Sequence, residues 1–349
     1  MKISFIVPTA RSSFNTYAHK SKRVHLFEPF MDTLHPQIKE GDQVEIIVND
    51  LLKEHRSLEK FFKRYPKVTC KVIQQDNFWL REGFASYSEP WNSGAEVASG
   101  DYLVFVGDSV SFPPQFMDKL REKAEGGYVA QFLYATKFDE YLEVDGKINE
   151  DYETIDQVVE AGKFDAATFT PGDPRWWHNE WKSGCDQITT FYEVNWQHCY
   201  GVFGMPREVF YMLNGFDENF EGQKDHNDVE IFSRLQMLWP TIKINFDRSL
   251  YIYRHPHSPV FNRVHKQLHT GGQLRINYDL IQMFRLTGVT RANCTIHDHH
   301  LLNKVVDGRL SGYATFLRTA KDRRKNESKM IKYWINNQPM RELKDSRVG

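Results

Sequence analysis

Apolar and polar positions alternate between two rhythms along the first third of the chain. Ile3-Ser-Phe-Ile-Val7 is a short apolar run closed by Pro8-Thr9, which predicts a β-strand followed by a turn. Leu26, Phe30, Met31, Leu34 and Ile38 recur at helical spacing and predict a helix over residues 25–39, ending before Gly41. Val44–Val48 is near-continuously apolar, as strands covered on both faces are. Leu58, Phe61 and Phe62 predict a helix over 54–65, and Val68–Ile73 the next strand. Ser88-Glu-Pro-Trp91 reads as a helix start, with Ser88 as N-cap and Glu89 and Pro90 in the first turn. That helix runs to Gly100, and Tyr102–Val106 is the next buried strand.

This βαβαβ alternation predicts an α/β fold, Rossmann-like, with a mainly parallel sheet and helices on both faces. Ligands of such sheets bind outside the carboxyl ends of the strands. The positions to watch are therefore Pro8–Arg11, Asn49-Asp50 and Gly107-Asp108-Ser109. The pattern weakens between 135 and 200, where an acidic stretch (138–165) precedes Trp176, Trp177, Trp181 and Trp196 among Gly, Pro and Asp. A long functional loop region fits that composition better than a second core. Regularity returns as predicted helices over 206–213 and 228–238 and a strand at Ile242–Phe246.

Composition sharpens this picture in two places. The chain of 349 residues carries 45 Lys+Arg against 46 Asp+Glu, which argues against a protein that coats nucleic acid. Yet residues 301–349 hold 12 Lys+Arg and 5 Asp+Glu, so a surplus of seven positive charges follows a body with eight surplus negative ones. Lys321-Asp-Arg-Arg-Lys325 is either a solvated helix face or a contact for a diphosphate, an anionic lipid surface or nucleic acid. The second feature is the 14% share of aromatic residues, enough for a large core, with four of the eight Trp between 176 and 196. Cys70, Cys185, Cys199 and Cys294 are too scattered for a disulfide framework or a zinc site and are expected as reduced thiols. No apolar run approaches the ~18 residues of a membrane span, and no cleavable leader is evident. A cytoplasmic protein is the expectation, peripheral at an anionic surface if the basic end serves that role.

Three segments, in order, resemble family 2 glycosyltransferases of the GT-A fold. The first is Ile3-Ser-Phe-Ile-Val-Pro-Thr-Ala-Arg11. The second is Trp91-Asn-Ser-Gly-Ala-Glu-Val-Ala-Ser-Gly-Asp-Tyr-Leu-Val-Phe-Val-Gly-Asp-Ser109, leading to Pro113-Pro114. The third begins Tyr200-Gly-Val-Phe-Gly-Met-Pro-Arg207, continues to Gly215-Phe-Asp-Glu218, and leads to Asn227-Asp228-Val-Glu230 and Arg234-Leu235. The matched region spans roughly residues 1–255. Two departures stand out: the family's Asp-x-Asp triplet is Gly107-Asp108-Ser109 here, and its Glu-Asp pair is Asn227-Asp228.

The resemblance implies a catalytic domain over 1–260, with a donor half of about 1–110 and an acceptor half of about 111–260. Residues 261–349 then form a partly basic, helical C-terminal extension. It implies an inverting hexosyl- or pentosyltransferase that moves a sugar from a nucleotide-diphospho-sugar, UDP-sugar by default, to an acceptor hydroxyl of a carbohydrate or another molecule. Pro8, Thr9, Arg11, Asn49, Asp50, Arg81 and Asp108 are the implied donor-binding residues, and Asp228 the general base. A divalent cation, Mn²⁺ or Mg²⁺, would be held by Asp108 with Ser109, His255 and His257, since hard oxygen donors with imidazole suit these ions. Trp176, Trp177, Trp181, Trp196 and Gly201 mark the acceptor side, because Trp faces stack on pyranose rings and bases alike. Each residue also has a plainer role: Asp228 as a helix N-cap, Asp108 as a turn residue, the Trp cluster as a satellite core. A transferase acting on a DNA base through the basic end, and a non-catalytic sugar- or nucleotide-binding relative, remain the alternatives.

Overall fold

The computed structural model of the chain describes residues 1–9, 14–15, 24–25, 27–51, 58–77, 86–108, 110–135, 143–144, 147–148, 187–190, 201–221, 228–254, 274–293, 336 and 340–348. Strands β1 (Lys2–Thr9), β2 (Gln43–Asp50), β3 (Val68–Gln74) and β4 (Tyr102–Phe105) lie parallel, side by side in the order β3-β2-β1-β4. Helices α1 (Glu28–Leu34), α2 (Leu58–Phe62) and α3 (Ser88–Val97) fall between them in sequence. This is the alternation that the apolar runs predict.

The rest of the sheet is mixed. It comprises β5 (Val110–Ser111), β6 (Val129–Ala135), β7 (Gln187–Thr190), β8 (Phe203–Pro206) and β9 (Lys243–Arg254). Among the described residues the full order is β7-β9-β6-β8-β4-β1-β2-β3, with β5 paired to the end of β9. Strand β8 is antiparallel to both β4 and β6, whereas β9 runs parallel to β6. Helices α4 (Phe116–Glu125), α5 (Arg207–Met212), α6 (Val229–Leu238) and α7 (Leu274–Thr287) complete the described elements of that half.

Strand alternation divides the core into two layers. Phe5, Val7, Ile46, Val48 and Val104 pack with α1, α2 and α4, while Ile6, Ile47, Leu103 and Phe105 pack with α3, α5, α6 and α7. Aromatic rings interlock in both. Phe30 meets Phe5 and Phe112 edge-on, with centroids 6.1 and 4.8 Å apart. On the other side Trp91 stacks on Phe216 at 4.7 Å, and Phe105 touches Phe203, Phe210 and Phe216.

Two local expectations change. The helix expected over 25–39 is α1 plus a 3₁₀ turn, His35–Gln37, because Pro36 has no N–H to continue the α-helical ladder. Ser88 is not the cap of α3. Tyr87 holds that position without a side-chain cap, and Glu221, far along the chain, accepts from Tyr87 N (3.0 Å) and Glu89 N (2.8 Å) instead.

The chain's last described stretch, 340–348, folds back across the domain. Leu343 is buried against Gly215, whose φ of +70° and contact with Leu343 leave no room for a Cβ. Leu343 N donates to Asn214 Oδ1 at 2.8 Å, and Arg207, fully buried, donates through Nε to Asp345 at 2.9 Å and through Nη1 to Ala98 O at 2.7 Å.

Helix α3 lies so close to β1 that a Cβ on Gly94 would stand 2.4 Å from Ile6 Cγ2. Ile6 is buried in a filled layer and has nowhere to move. Gly94→Ala is therefore expected to lower unfolding stability by about 1–3 kcal/mol. Urea denaturation checks this; an unchanged midpoint would show that the contact yields freely.

Candidate functional site

The carboxyl ends of β1, β2 and β4 bring three polar side chains together. Thr9 and Asp50 are register partners at the last rung of β1 and β2, and Leu51 N donates to Thr9 O at 3.0 Å. By strand alternation both side chains lie on the face that carries Val7 and Val48. Asp108 stands just past β4 and accepts from Thr9 Oγ1 at 2.7 Å. All three are almost completely buried. A chain end that buries two carboxylates beside one hydroxyl violates the rule that strand ends are solvated, which is where ligand sites are found.

Asn49 departs from this grouping. It faces the opposite side of β2, where its Nδ2 donates to Gln75 Oε1 at 2.8 Å and to Pro90 O at 3.1 Å. Pro8, half-buried, lies on that same opposite side of β1. Arg11, Arg81, Ser109, His255 and His257 lie outside the described residues. The pairing of Tyr253 with Ser111 and of Arg254 with Val110 does bring the end of β9 against the strand that follows Asp108. Among the described residues no group of three or more His, Cys, Asp or Glu side chains is arranged to hold a metal. Asp108 and Asp50 supply oxygen donors of the kind Mg²⁺ and Mn²⁺ take, short of a complete set.

On the other half of the sheet, Asp228 and Gly201 meet. Gly201, at φ +75°, donates its N–H to Asp228 Oδ2 in a short hydrogen bond, while Asp228 Oδ1 accepts from Val229 N at 3.0 Å. Asp228 is thus the N-cap of α6, as its position predicts, and stays half-buried rather than sealed. A carboxylate at a helix N-terminus is favoured by the helix dipole and held in one orientation. Trp176, Trp177, Trp181 and Trp196 lie outside the described residues.

Beneath Asp228 is a buried ionic network. Arg234 is 1% exposed, and its Nε donates to Glu230 Oε2 at 2.7 Å. Its Nη1 and Nη2 reach Leu213 O and Gly215 O, each at 2.7 Å. Glu230 in turn accepts from Asp217 N at 2.9 Å. Asp217 accepts from the backbone and side-chain N–H groups of Asn219, both at 2.8 Å. Burial, then the Glu230 charge, push the Asp217 carboxyl up to about 7. Its raised value means that Asp217 contributes stability below its ordinary range, and this is lost as pH rises from about 3.8 through about 7.

The same strand-end reasoning that singles out Asn49-Asp50 applies to the residues after β3, Gln75-Asp-Asn77, which join the site through Asn49 and Glu89. Glu221 and the buried Arg207 carry no comparable local signal, since Glu221 caps a helix 132 residues away and Arg207 pairs with Asp345. Arg234 does carry one, because Glu230 lies one helical turn before it.

No protein-family model matches the chain, and no curated protein sequence does. Solved structures do resemble it. S. aureus TarS 1–349 in complex with UDP-GlcNAc aligns with a TM-score of 0.50 at 14% identity, over 97% of this chain and 82% of that one. The S. aureus TarS 1–349 structure without a named ligand gives 0.48 at 14%, over 93% and 77%. The mannosyltransferase PcManGT from Pyrobaculum calidifontis in complex with GDP-Man and Mn²⁺ gives 0.46 at 11%, over 97% and 84%. The chain has the GT-A fold. Among its described residues no helix is long and apolar enough to cross a membrane.

The ion pair under Asp228 gives a stability prediction. Arg234→Met leaves Glu230 buried without its guanidinium and takes a donor away from the carbonyls of Leu213 and Gly215, so a loss of about 3–5 kcal/mol is expected in chemical denaturation. A loss below about 1 kcal/mol would mean that water reaches Glu230 and that the network is not sealed.

Proposed function

We propose that the protein transfers a sugar from a nucleotide-diphospho-sugar to an acceptor hydroxyl, with Asp228 as general base. The observation that carries this reading is the placement of Asp228. It is half-buried and gripped by Gly201 N–H and by the first N–H of α6. Gly201 leads into β8, whose Phe203 pairs with Phe105 at the end of β4, just before Asp108. A carboxylate held in that way can accept a proton from a hydroxyl without first reorganising. The GT-A fold, and the UDP-GlcNAc bound by a chain of that fold, support a UDP-sugar as donor.

In this reading Thr9, Asp50 and Asp108 line the nucleotide and diphosphate end. Pro8 and Asn49 back them, and Arg11 and Arg81 extend the donor contact. A divalent cation held by Asp108, with Ser109, His255 and His257 as further donors, supplies the charge that stabilises the departing diphosphate. Asp108 is oriented by the Thr9 hydroxyl at 2.7 Å, which keeps one carboxylate oxygen fixed. Attack by a hydroxyl activated at Asp228 inverts the anomeric centre, since a single positioned base is the only participant required on the protein. Gly201 and the Trp cluster at 176–196 form the acceptor side.

The test pairs binding with turnover. A UDP-sugar at about 100 times its Kd stabilises the native state by about 2.7 kcal/mol, so screening UDP-, GDP-, CDP- and dTDP-sugars with Mn²⁺ should raise Tm for the true donor alone. Asp228→Asn keeps one of the two acceptor oxygens and turns its NH2 towards the other donor, Gly201 N–H or Val229 N–H, so Tm is expected to fall modestly while donor binding stays unchanged. Its rate of transfer, or of slow donor hydrolysis, should fall by about 10²–10⁴-fold. Wild-type turnover in that variant would remove Asp228 from the mechanism. Silence across the donor panel would favour a non-catalytic binding protein.

A further inference from the structure

The mechanism above makes no use of two carboxyl groups, Glu221 buried and Glu89 half-buried, that come together at the start of α3. Glu89 belongs to the first turn of α3, next to the donor-side strands. Glu221 directly follows the 3₁₀ turn Glu218–Phe220 and lies seven residues before Asp228 in the chain. Glu221 Oε1 accepts from Tyr87 N and Glu89 N, and so caps a ten-residue helix from which it is 132 residues distant. The Glu89 carboxylate accepts from Gln75 Nε2 at 2.6 Å and Asn77 Nδ2 at 2.7 Å. Gln75 Oε1 accepts from Asn49, beside Asp50, and Asn77 also donates to Ser86 Oγ at 2.6 Å. A continuous hydrogen-bonded path therefore runs from the carboxyl end of β2 to the segment that leads into Asp228.

The path is poorly supplied with positive charge. Facing the pair are Glu218 from the 3₁₀ turn, Asp76 from the segment after β3, and Arg341 from the C-terminal stretch. That one guanidinium is divided between Glu218 and Glu96. Glu221 is 1% exposed and so has almost no water to stabilise its charge.

We propose that Glu89 and Glu221 form a proton-dependent latch that fastens the Glu218–Glu221 turn onto the start of α3. With a proton on the pair, Glu221 stays in the interior and caps α3. With both groups ionised, like charges in a water-poor site repel and the turn is released.

The electrostatics agree in direction. Burial first, then the neighbouring carboxylate, push Glu221 up to about 8; burial, then Glu218, push Glu89 up to about 7. The helix N–H groups oppose this at Glu221 and are outweighed. A carboxyl whose value is raised in the closed form contributes stability at low pH and loses it as pH rises, here from about 4.5 through about 7–8. Closure should therefore weaken between pH 6 and pH 9.

The test uses the full chain and needs neither donor nor acceptor, so its outcome is independent of the transferase reading. Hydrogen exchange is followed by mass spectrometry from pH 6 to pH 9, with rates corrected for the intrinsic pH dependence of amide exchange. In the wild type, protection of peptides covering 86–92 and 216–229 should fall about tenfold or more over that range, while 116–125 on α4 stays level. Glu221→Gln mimics the protonated acid, keeps the oxygen that caps α3, and should hold protection of the 86–92 peptide constant with pH, while 216–229 keeps only the slope below about pH 7 that Asp217 contributes. Glu89→Gln should flatten the profile as well, which covers the case in which the first variant does not fold. A wild-type profile that is already flat, or one equally steep in α4, overturns the latch.

Discussion

Arg234 carries a full positive charge in a position 1% exposed to water, and the described segments around α5, α6 and the end of α7 are arranged around that cost. Its guanidinium is satisfied by Glu230 one turn earlier on α6 and by the carbonyls of Leu213 and Gly215, which end α5 and form the following turn. It also reaches Thr290 O, beyond α7. Three segments distant in sequence thus converge on one side chain. Glu230 passes the constraint on to Asp217 N, and Asp228 begins the same helix two residues before Glu230. The candidate base is therefore mounted on a helix that cannot slide without stripping donors from buried carbonyls. An apolar residue at 234 could fill the space but could not fix that register.

The parallel strands β1–β4 are joined to this frame through α3. Asn92 exchanges hydrogen bonds with Phe216 in both directions, at 2.9 Å each, and so extends the backbone pairing of the Gly215-Phe-Asp-Glu218 turn by one side chain. Trp91, its neighbour, stacks on the Phe216 ring. Gly94 lets the same helix sink onto Ile6 of β1. One face of α3 thus reads the acceptor-side turn and the other reads the sheet. This places the buried strand ends at Thr9, Asp50 and Asp108 in a fixed relation to that turn.

Much of this was legible in the sequence, and the reason differs from element to element. The runs Ile3–Val7 and Tyr102–Val106 announce buried strands because both of their faces are covered, so apolar residues fall at every position except Ser4. Val44–Val48 is more instructive, since Glu45 sits within the run and is buried. Its carboxylate accepts from Ser4 Oγ at 2.6 Å and Ser99 N at 2.8 Å, and Lys71 lies at 2.7 Å. Periodicity tolerates one such residue but cannot say who satisfies it. The Ser88 cap failed for that reason: the local rule supplied a plausible acceptor, while the fold supplied Glu221 from 132 residues away. At the site itself, strand-end logic found Thr9, Asp50 and Asp108. It grouped Asn49 with them, although the side-chain alternation of β2 sends Asn49 to the opposite face.

Charge segregation along the chain does not translate directly into a surface charge. The basic end looks like an anion contact when counted in sequence, yet its two described arginines are paired with carboxylates of the domain, Arg341 half-buried and Arg347 at the surface. Arg341 is bound by Glu218 and Glu96, and Arg347 by Asp101. Asp345, from the same stretch, neutralises Arg207 and is itself held below the usual carboxylate range, chiefly by the hydrogen bond from Arg207. These pairs staple 340–348 to α3 and α5 and lower the positive charge that this segment presents to any external partner. An anion contact at the basic end must then rest on Lys321-Asp-Arg-Arg-Lys325 and its neighbours. The acidic body and basic end are in this respect complementary parts of one fold, and part of the near-zero net charge reflects that internal pairing.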